Sequence, residues 1–253
     1  MLYPPSDNGA NIVIVFGNHL FILTTYQTMK TSILNSTKML TVLALAMSFI
    51  FASCSKDDEV KGPSATNDQA INIPFFVQTA QGELPADPSD LLYETRKNNP
   101  LLAPDGHQIT WGEFSAVKGE AIAECTDQGT KVTLNLTGLI PNGVYTIWNL
   151  SFEAPGSDLT EEMLGVDGLG AAGKGDGSDN AFTASPSGTG SITFTSPGGN
   201  LSLFGSIGAC SLVDNFEWHV AGAYHADGLT YGPIIGPDGT YAEQFGFAFV
   251  KGN

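Results

Sequence analysis

Hydrophobic and polar residues alternate with a period of two along most of the chain after residue 71. In KVTLNLTGL, the valine and leucines fall on one side and the threonines and asparagine on the other. The same alternation occurs at 190–196 (GSITFTS), 216–224 (FEWHVAGAY) and 244–250 (QFGFAFV). This period is typical of β-strands with one side buried and the other in water. It places Glu217 and His219 on the solvent side of their strand.

Glycine-rich turn signals separate these strands. They are PNG, SGTG, PGGN and PDGT. Asn142-Gly143 lies between two strand-like segments and predicts a hairpin, because both residues tolerate positive φ. Only 158–165 (DLTEEMLG) could form about two helical turns. Eight or nine strands spaced in this way predict a single antiparallel β-sandwich of jelly-roll or Greek-key type over residues 71–253.

A short apolar run precedes the first cysteine. Residues 39–52 form a run of 14, which is the length of a signal-peptide core and too short to span a bilayer. Lysines precede the run, and the small residues Ala52 and Ser53 lead into Cys54. This pattern resembles a bacterial lipoprotein signal, which implies cleavage of residues 29–53 and acylation of Cys54. The alternative is an ordinary cleaved signal with an incidental cysteine.

The segment SKDDEV follows Cys54 and resembles the export tag of surface lipoproteins from the Bacteroides and Flavobacterium group. The resemblance implies a lipid anchor in the outer membrane and exposure at the cell surface, with a periplasm-facing domain as the alternative. Residues 54–70 then form the lipidated end and a flexible tether. Residues 1–28 lack the basic start of an export signal, which predicts a start site assigned too early; a genuine extra segment is the alternative.

The remaining two cysteines, Cys125 and Cys210, form an even pair in an exported domain. In an oxidising compartment they are expected to form a disulfide, which would contribute roughly 4 kcal/mol in the chain-entropy model. Two separate buried thiols are the alternative. The formal net charge of −16 disfavours nucleic-acid binding, because an acidic surface repels phosphates.

The strongest candidate for site chemistry is the pair His225 and Asp227. Residues two apart on a strand share a face, so the aspartate could orient the imidazole at a pocket rim. His107, in a loop, could be a third catalytic member. His219 shares the strand face of His225, but six residues separate the two by ~20 Å, so they cannot share a metal unless the chain turns between them. The alternative is a surface histidine bonded to a neighbouring acid.

The loop at 165–180 is a second candidate, because it combines six glycines with hard oxygen ligands. Its possible Ca²⁺ ligands are Asp167, Asp176, Asp179 and Asn180, although their spacing matches no EF-hand and a lysine interrupts them. A flexible surface loop is the other interpretation.

Five aromatic residues could stack on sugars, but their spacing is more typical of a core. These are Trp111, Trp148, Trp218, Tyr224 and Tyr231. Segments between 107 and 250, such as YHADGLTYGPIIGPDGTYAEQFGF, resemble an uncharacterised group of secreted bacterial β-proteins, from which no activity transfers. The sequence therefore favours a non-catalytic module that binds a glycan, a cation or an envelope protein. The alternative is a metal-dependent or hydrolytic enzyme that uses His225 and Asp227.

Overall fold

The computed structural model describes residues 12–16, 19–23, 62–74, 76–153 and 165–251. The chain divides into two compact units, Met1–Lys56 and Asp57–Asn253. In the first unit, β1 (Ile12–Phe16) pairs antiparallel with β2 (His19–Leu23). The predicted signal peptide at 29–53, the predicted lipidation site Cys54 and most of the candidate helix at 158–165 lie outside the described residues.

The regular secondary structure of the second unit is almost all antiparallel β-strand. Its strands are β3 (Ser64–Asn67), β4 (Ile71–Asn72), β5 (Val77–Gln78), β6 (Tyr93–Glu94), β7 (Lys118–Thr126), β8 (Gly129–Thr137), β9 (Val144–Phe152), β10 (Gly168–Ala171), β11 (Ala181–Thr183), β12 (Gly190–Ser196), β13 (Gly199–Asn200), β14 (Ser206–Ile207), β15 (Glu217–His225) and β16 (Tyr241–Val250). The described residues of this unit also form two helices of four residues each, α1 (Trp111–Phe114) and α2 (Ser211–Asp214). The predicted all-β class is confirmed.

The strands form a large sheet and a small sheet. The large sheet has the order β10-β9-β15-β16-β4, with β11 also paired to β9, and the small sheet has the order β12-β8-β7-β3. Two short ribbons, β5–β6 and β13–β14, lie outside them. The jelly-roll or Greek-key type stays a prediction.

One hydrophobic cluster joins the inner sides of both sheets. Val132 and Leu134 of β8 belong to it together with Trp218 of β15 and Phe245 and Phe247 of β16. The alternation predicted for these strands is therefore the alternation that builds the core.

Strand β16 contains a bulge where it crosses the core. Gly222 of β15 pairs with Phe245 and Ala223 pairs with Glu243, so Gln244 is an extra residue on β16. Its buried amide accepts from the Tyr145 hydroxyl at 2.7 Å and donates to the Phe114 carbonyl at 2.7 Å. A side chain at Gly222 would collide with the Phe245 ring, which explains the glycine at the bulge.

The outer side of the large sheet is buried as well. Trp148, Leu150 and Ala221 form a second cluster there, and Ile235 packs on it from the loop before β16. The prediction that Glu217 and His219 face solvent is therefore wrong: their exposed fractions are 6% and 0%. The physical reason is that loops, rather than water, cover this side of β9 and β15.

The turn at 140–143 does not close a hairpin, because β8 belongs to the small sheet and β9 to the large sheet. The Gly143 N–H donates to the Ile140 carbonyl at 2.9 Å, and Asn142 has φ of 58°. Proline at the second position and positive φ at the third define a type II turn. The sequence therefore predicted a turn correctly but paired the wrong strands: β8 forms its tight hairpin with β7, through Asp127-Gln128.

The predicted disulfide is present. Cys125 at the end of β7 is bonded to Cys210 before α2, with 5.2 Å between the Cα atoms. The chain enters the domain at this point, since the Cys125 N–H donates to the Pro63 carbonyl at 2.8 Å. Ser64–Asn67 then pair with β7, so part of the predicted tether at 54–70 belongs to the small sheet.

Candidate functional site

A cavity of about 360 Å³ lies where β15 ends and β9 begins. Three segments line it: the loop from Leu102 to Gly106, the turn and strand start at Asn142 and Val144, and the strand end and turn from Tyr224 to Gly228. His225 and Asp227, the two residues that the sequence singled out, are both lining residues. The cavity is therefore the part of the domain where their chemistry must be judged.

His225 is held by a buried network on the outer side of the large sheet. Its Nε2 lies 2.7 Å from Thr146 Oγ1, which also accepts from Trp148 Nε1 at 2.8 Å. A hydroxyl has one proton and two lone pairs, so Thr146 Oγ1 can donate to Nε2 or accept from it while it accepts from the indole; the second ring nitrogen of His225 is Nδ1. That Nδ1 is buried and has no partner among the described residues. Burial lowers the pKa of His225, and the nearby Asp227 carboxylate opposes this shift.

The sequence predicted that Asp227 orients the imidazole of His225, but in the structure it does not. Its Oδ1 accepts from the Leu229 N–H at 3.1 Å, and its Oδ2 accepts from the Tyr231 hydroxyl at 2.5 Å. This bond raises the pKa of Tyr231. The expected role falls to Thr146 instead, because the chain turns directly after His225 and carries Asp227 out of the strand.

His107 lies on the loop that forms the opposite wall, but its side chain bonds within its own loop and helix. Nδ1 lies 2.5 Å from Asp105 Oδ1, and Nε2 lies 3.1 Å from Glu113 Oε1. The hydrogen bond from His107 to the Asp105 carboxylate is the main cause of a raised pKa for His107. Glu113 also closes a capping box with Thr110 at the start of α1. His107 therefore fastens the wall of the cavity.

The cavity is acidic. Burial raises the pKa of Tyr224, and the carboxylates of Asp105 and Asp227 add to the shift. The Tyr224 hydroxyl donates to the Leu102 carbonyl at 2.7 Å and so ties β15 to the loop. No lysine or arginine occurs among the described residues that line the cavity.

A second pair of a histidine and an acid, which was not predicted from the sequence, is buried near the other end of β15. His219 Nε2 is hydrogen-bonded to Glu217 Oε1, and the Phe152 ring lies 4.5 Å from the imidazole. Burial lowers the pKa of His219, and Glu217 opposes this shift. The sequence does contain a signal for this pair, because residues two apart on a strand lie on the same face and can touch. From the sequence, that rule was applied only to His225 and Asp227.

The four proposed calcium ligands are not brought together. Asp167 accepts from the Glu153 N–H at 2.7 Å, Asp176 from the Ser178 N–H at 2.9 Å, and Asp179 from the Lys174 N–H at 2.7 Å. Buried Asn180 donates to the Ile147 carbonyl at 3.1 Å. Within the described ranges, no group of three or more His, Cys, Asp or Glu residues could hold a metal ion. Asp176, in an Asx turn, and Asp179 fix the shape of the loop itself, whereas Asp167 and Asn180 tie the loop to residues in or directly after β9.

The aromatic residues proposed as a sugar-stacking face are mostly core. Trp148, Trp218 and Tyr224 are at most 2% exposed, and only Trp111 and Tyr231 reach the surface in part. The prediction that these five rings could form a stacking platform for sugars is therefore wrong.

Comparison with protein-family models, curated proteins and solved structures finds no significant match to this chain. Across the described part of the chain, every helix falls short of the length and apolar character needed to cross a bilayer.

Proposed function

We propose that this chain is a lipid-anchored outer-membrane protein, exposed at the cell surface, whose β domain is a non-catalytic binding module. The binding site is the cavity beside His225. One observation carries the proposal: the cavity lies at the opposite end of β15 from the point where the chain enters the domain. A module anchored by its N-terminal side then presents the cavity away from the membrane.

The two ends are separated by the length of a strand. Cys210 is bonded to Cys125 beside the chain entry, and the Ser211 N–H donates to Thr130 Oγ1 at 2.8 Å in the same region. Glu217 starts β15 seven residues after Cys210, and His225 ends it. Eight residue steps at ~3.3 Å make β15 about 26 Å long, so the cavity lies at the far end of that strand from the entry. The disulfide supports export, since such bonds persist in oxidising compartments.

The chemistry of the cavity favours a neutral polyhydroxylated ligand, and we assign it to a glycan. Asp227 offers carboxylate oxygens to sugar hydroxyls, and the Asn142 amide can donate or accept. Pro104 and Val144 add apolar contacts for the face of a sugar ring. An anionic ligand would be repelled by Asp105 and Asp227. The volume lies within the range of about 300–1,000 Å³ that is typical of small-molecule sites.

The enzyme alternative requires His225 to exchange protons with a substrate. The residue is 1% exposed, its Nε2 is bonded to Thr146, and Asp227 is bonded to its own loop. These contacts favour a structural role for the imidazole under the cavity and therefore favour binding over catalysis.

The binding site is tested with the separate domain, residues 57–253, which forms one compact unit with its own core and disulfide. Glycan-array screening followed by calorimetry should identify a ligand. Asn142→Gly removes the amide and keeps positive φ, and Asp227→Asn removes one charge; each should weaken binding at least tenfold. Asp127→Asn makes the same charge change at the other end of the domain and should have no effect.

Three results would overturn the assignment. Binding that survives both cavity variants would place the site elsewhere. Divalent-cation or envelope-protein binding that is lost in these variants, without glycan binding, would change the ligand class. Stoichiometric zinc or copper that is lost in His225→Ala would favour the enzyme. The anchor is tested separately by mass spectrometry of membrane fractions, where an unmodified, uncut amino terminus in the cytosol would refute it.

A further inference from the structure

Two loops that meet beside the edge strand β10 expose large hydrophobic side chains. One is the tip of the β13–β14 hairpin and the other follows the cavity toward β16. The Ala171 N–H donates to Ser202 Oγ at 2.9 Å, and Ser202 Oγ donates to the Pro233 carbonyl at 2.9 Å, which joins the loops. The apolar loop surface consists of Leu203, Phe204 and Ile234, which are 40%, 48% and 53% exposed. Leu229, which is 56% exposed, follows the cavity residue Gly228 and is not part of this surface.

Charge is absent from both loops, although the protein is strongly acidic. Residues 197–213 and 228–237 contain no Asp, Glu, Lys or Arg, in a chain of net charge −16. Exposed leucines are common singly, but several on adjoining uncharged loops are typical of an interaction surface. An uncharged apolar surface on an acidic protein fits an apolar partner without strong charge of its own.

The position of the predicted anchor indicates which partner. Only eight residue steps separate Cys54 from Gly62, where the described domain starts, so a chain acylated there reaches at most about 28 Å from the membrane. Gly62 lies against Cys125, which is bonded to Cys210. Phe204 is six residues from Cys210, and so within about 20 Å of it. The tether therefore brings the apolar loop surface within reach of the bilayer that holds it.

We infer that the apolar loop surface docks on the lipid bilayer, with Leu203, Phe204 and Ile234 entering the boundary between headgroups and acyl chains. The inference rests on the proposed lipid anchor. Because the domain carries a net negative charge, the contact favours zwitterionic over anionic headgroups, opposite to the preference of basic membrane-binding segments. Docking holds the domain in one orientation and so fixes the direction in which the cavity faces.

The test uses the unlipidated domain, residues 57–253, and sedimentation with phosphatidylcholine vesicles. The domain should bind these vesicles, and vesicles with added phosphatidylglycerol should bind it less. The triple variant Leu203→Ser, Phe204→Ser, Ile234→Ser should reduce the partition coefficient at least tenfold. Leu84→Ser with Leu91→Ser is the matched control, since these leucines are 64% and 47% exposed on another loop, and its binding should be unchanged. Thermal unfolding verifies that both variants remain folded.

Several outcomes would overturn the inference. These are the absence of vesicle binding, an equal loss in the control, or a preference for anionic vesicles. A dimer by light scattering that the triple variant converts to monomer would assign the surface to a second copy of the chain. Mass spectrometry at Cys54 keeps the two proposals distinguishable: an acylated chain whose domain ignores vesicles refutes only the docking, and an unmodified Cys54 refutes the anchor.

Discussion

Replacing Thr146 with valine should destabilise the domain more than its small change in shape suggests. The hydroxyl accepts from Trp148 Nε1 at 2.8 Å and lies 2.7 Å from His225 Nε2, and all three residues are at most 2% exposed. Valine keeps the volume but leaves two buried polar groups without a partner. Each unpaired group costs about 1–3 kcal/mol, so we expect a loss of about 3 kcal/mol.

The assay is urea unfolding of residues 57–253 with the disulfide intact, together with thermal unfolding. For a domain of this size, 3 kcal/mol corresponds to a decrease in Tm of about 6–12 °C. Thr146→Ser is the control, because it keeps the hydroxyl and loses one methyl group, at a cost of about 1 kcal/mol. The indole N–H signal of Trp148 in NMR spectra should shift in the valine variant and stay in place in the serine variant. A valine variant at least as stable as the serine variant would refute the network.

Four further predictions concern stability. Replacing both Cys125 and Cys210 with serine should lower the free energy of unfolding by about 4 kcal/mol, measured in urea; a change below 1 kcal/mol would contradict the chain-entropy argument. The raised pKa of His107 means that its stabilising contribution is full below pH 6.5 and is lost as the pH rises through the folded value, so His107→Gln should flatten that part of the pH profile of Tm. Conversely, the lowered pKa of His225 predicts stability that is present above pH 6.5 and falls as the pH decreases, and NMR titration of its ring protons should show protonation below pH 6.5. Asn142→Val should cost about 1–2 kcal/mol by thermal unfolding because a β-branched residue resists positive φ, and an unchanged Tm would argue against the type II turn.

Local alternation was enough to predict the strands and their inner faces. Leu134 and Phe247 lie in the core as the period of two requires, because alternation reports directly on which side of a strand is buried. The disulfide was equally accessible, since residues 57–253 contain two cysteines and two cysteines allow one pairing. Both predictions depend on residues near in sequence or on simple counting.

Long-range pairing was not accessible in the same way. The turn at Asn142 has the backbone that the sequence indicated, yet nothing in the local sequence states that β8 and β9 belong to different sheets. The burial of Glu217 and His219 depends on loops from elsewhere in the chain that cover their strand. Gln244 was missed for a similar reason, because a bulge shifts the alternation by one residue and only the pairing with β15 reveals it.

For the candidate site, the sequence identified His225 and Asp227 but not their partners. His225 and Asp227 both line the cavity, because the cavity lies at the end of the large sheet where β15 ends. Their bonds to Thr146 and Tyr231 depend on register across β9 and on the shape of the following turn. The wall formed by residues 102–106 is distant in sequence, and Asn142 was noticed only as a turn residue.

The entry of the chain through β3 and β4 has a mechanical consequence. β3 pairs with β7 in the small sheet, and three residues later the two-residue β4 pairs with β16 in the large sheet. A pulling force on the N-terminal side would therefore load an edge strand of four residues first. The Cys125–Cys210 disulfide lies directly beside that strand. It would therefore still hold the end of β7 to the segment before α2 after β3 has separated from the small sheet.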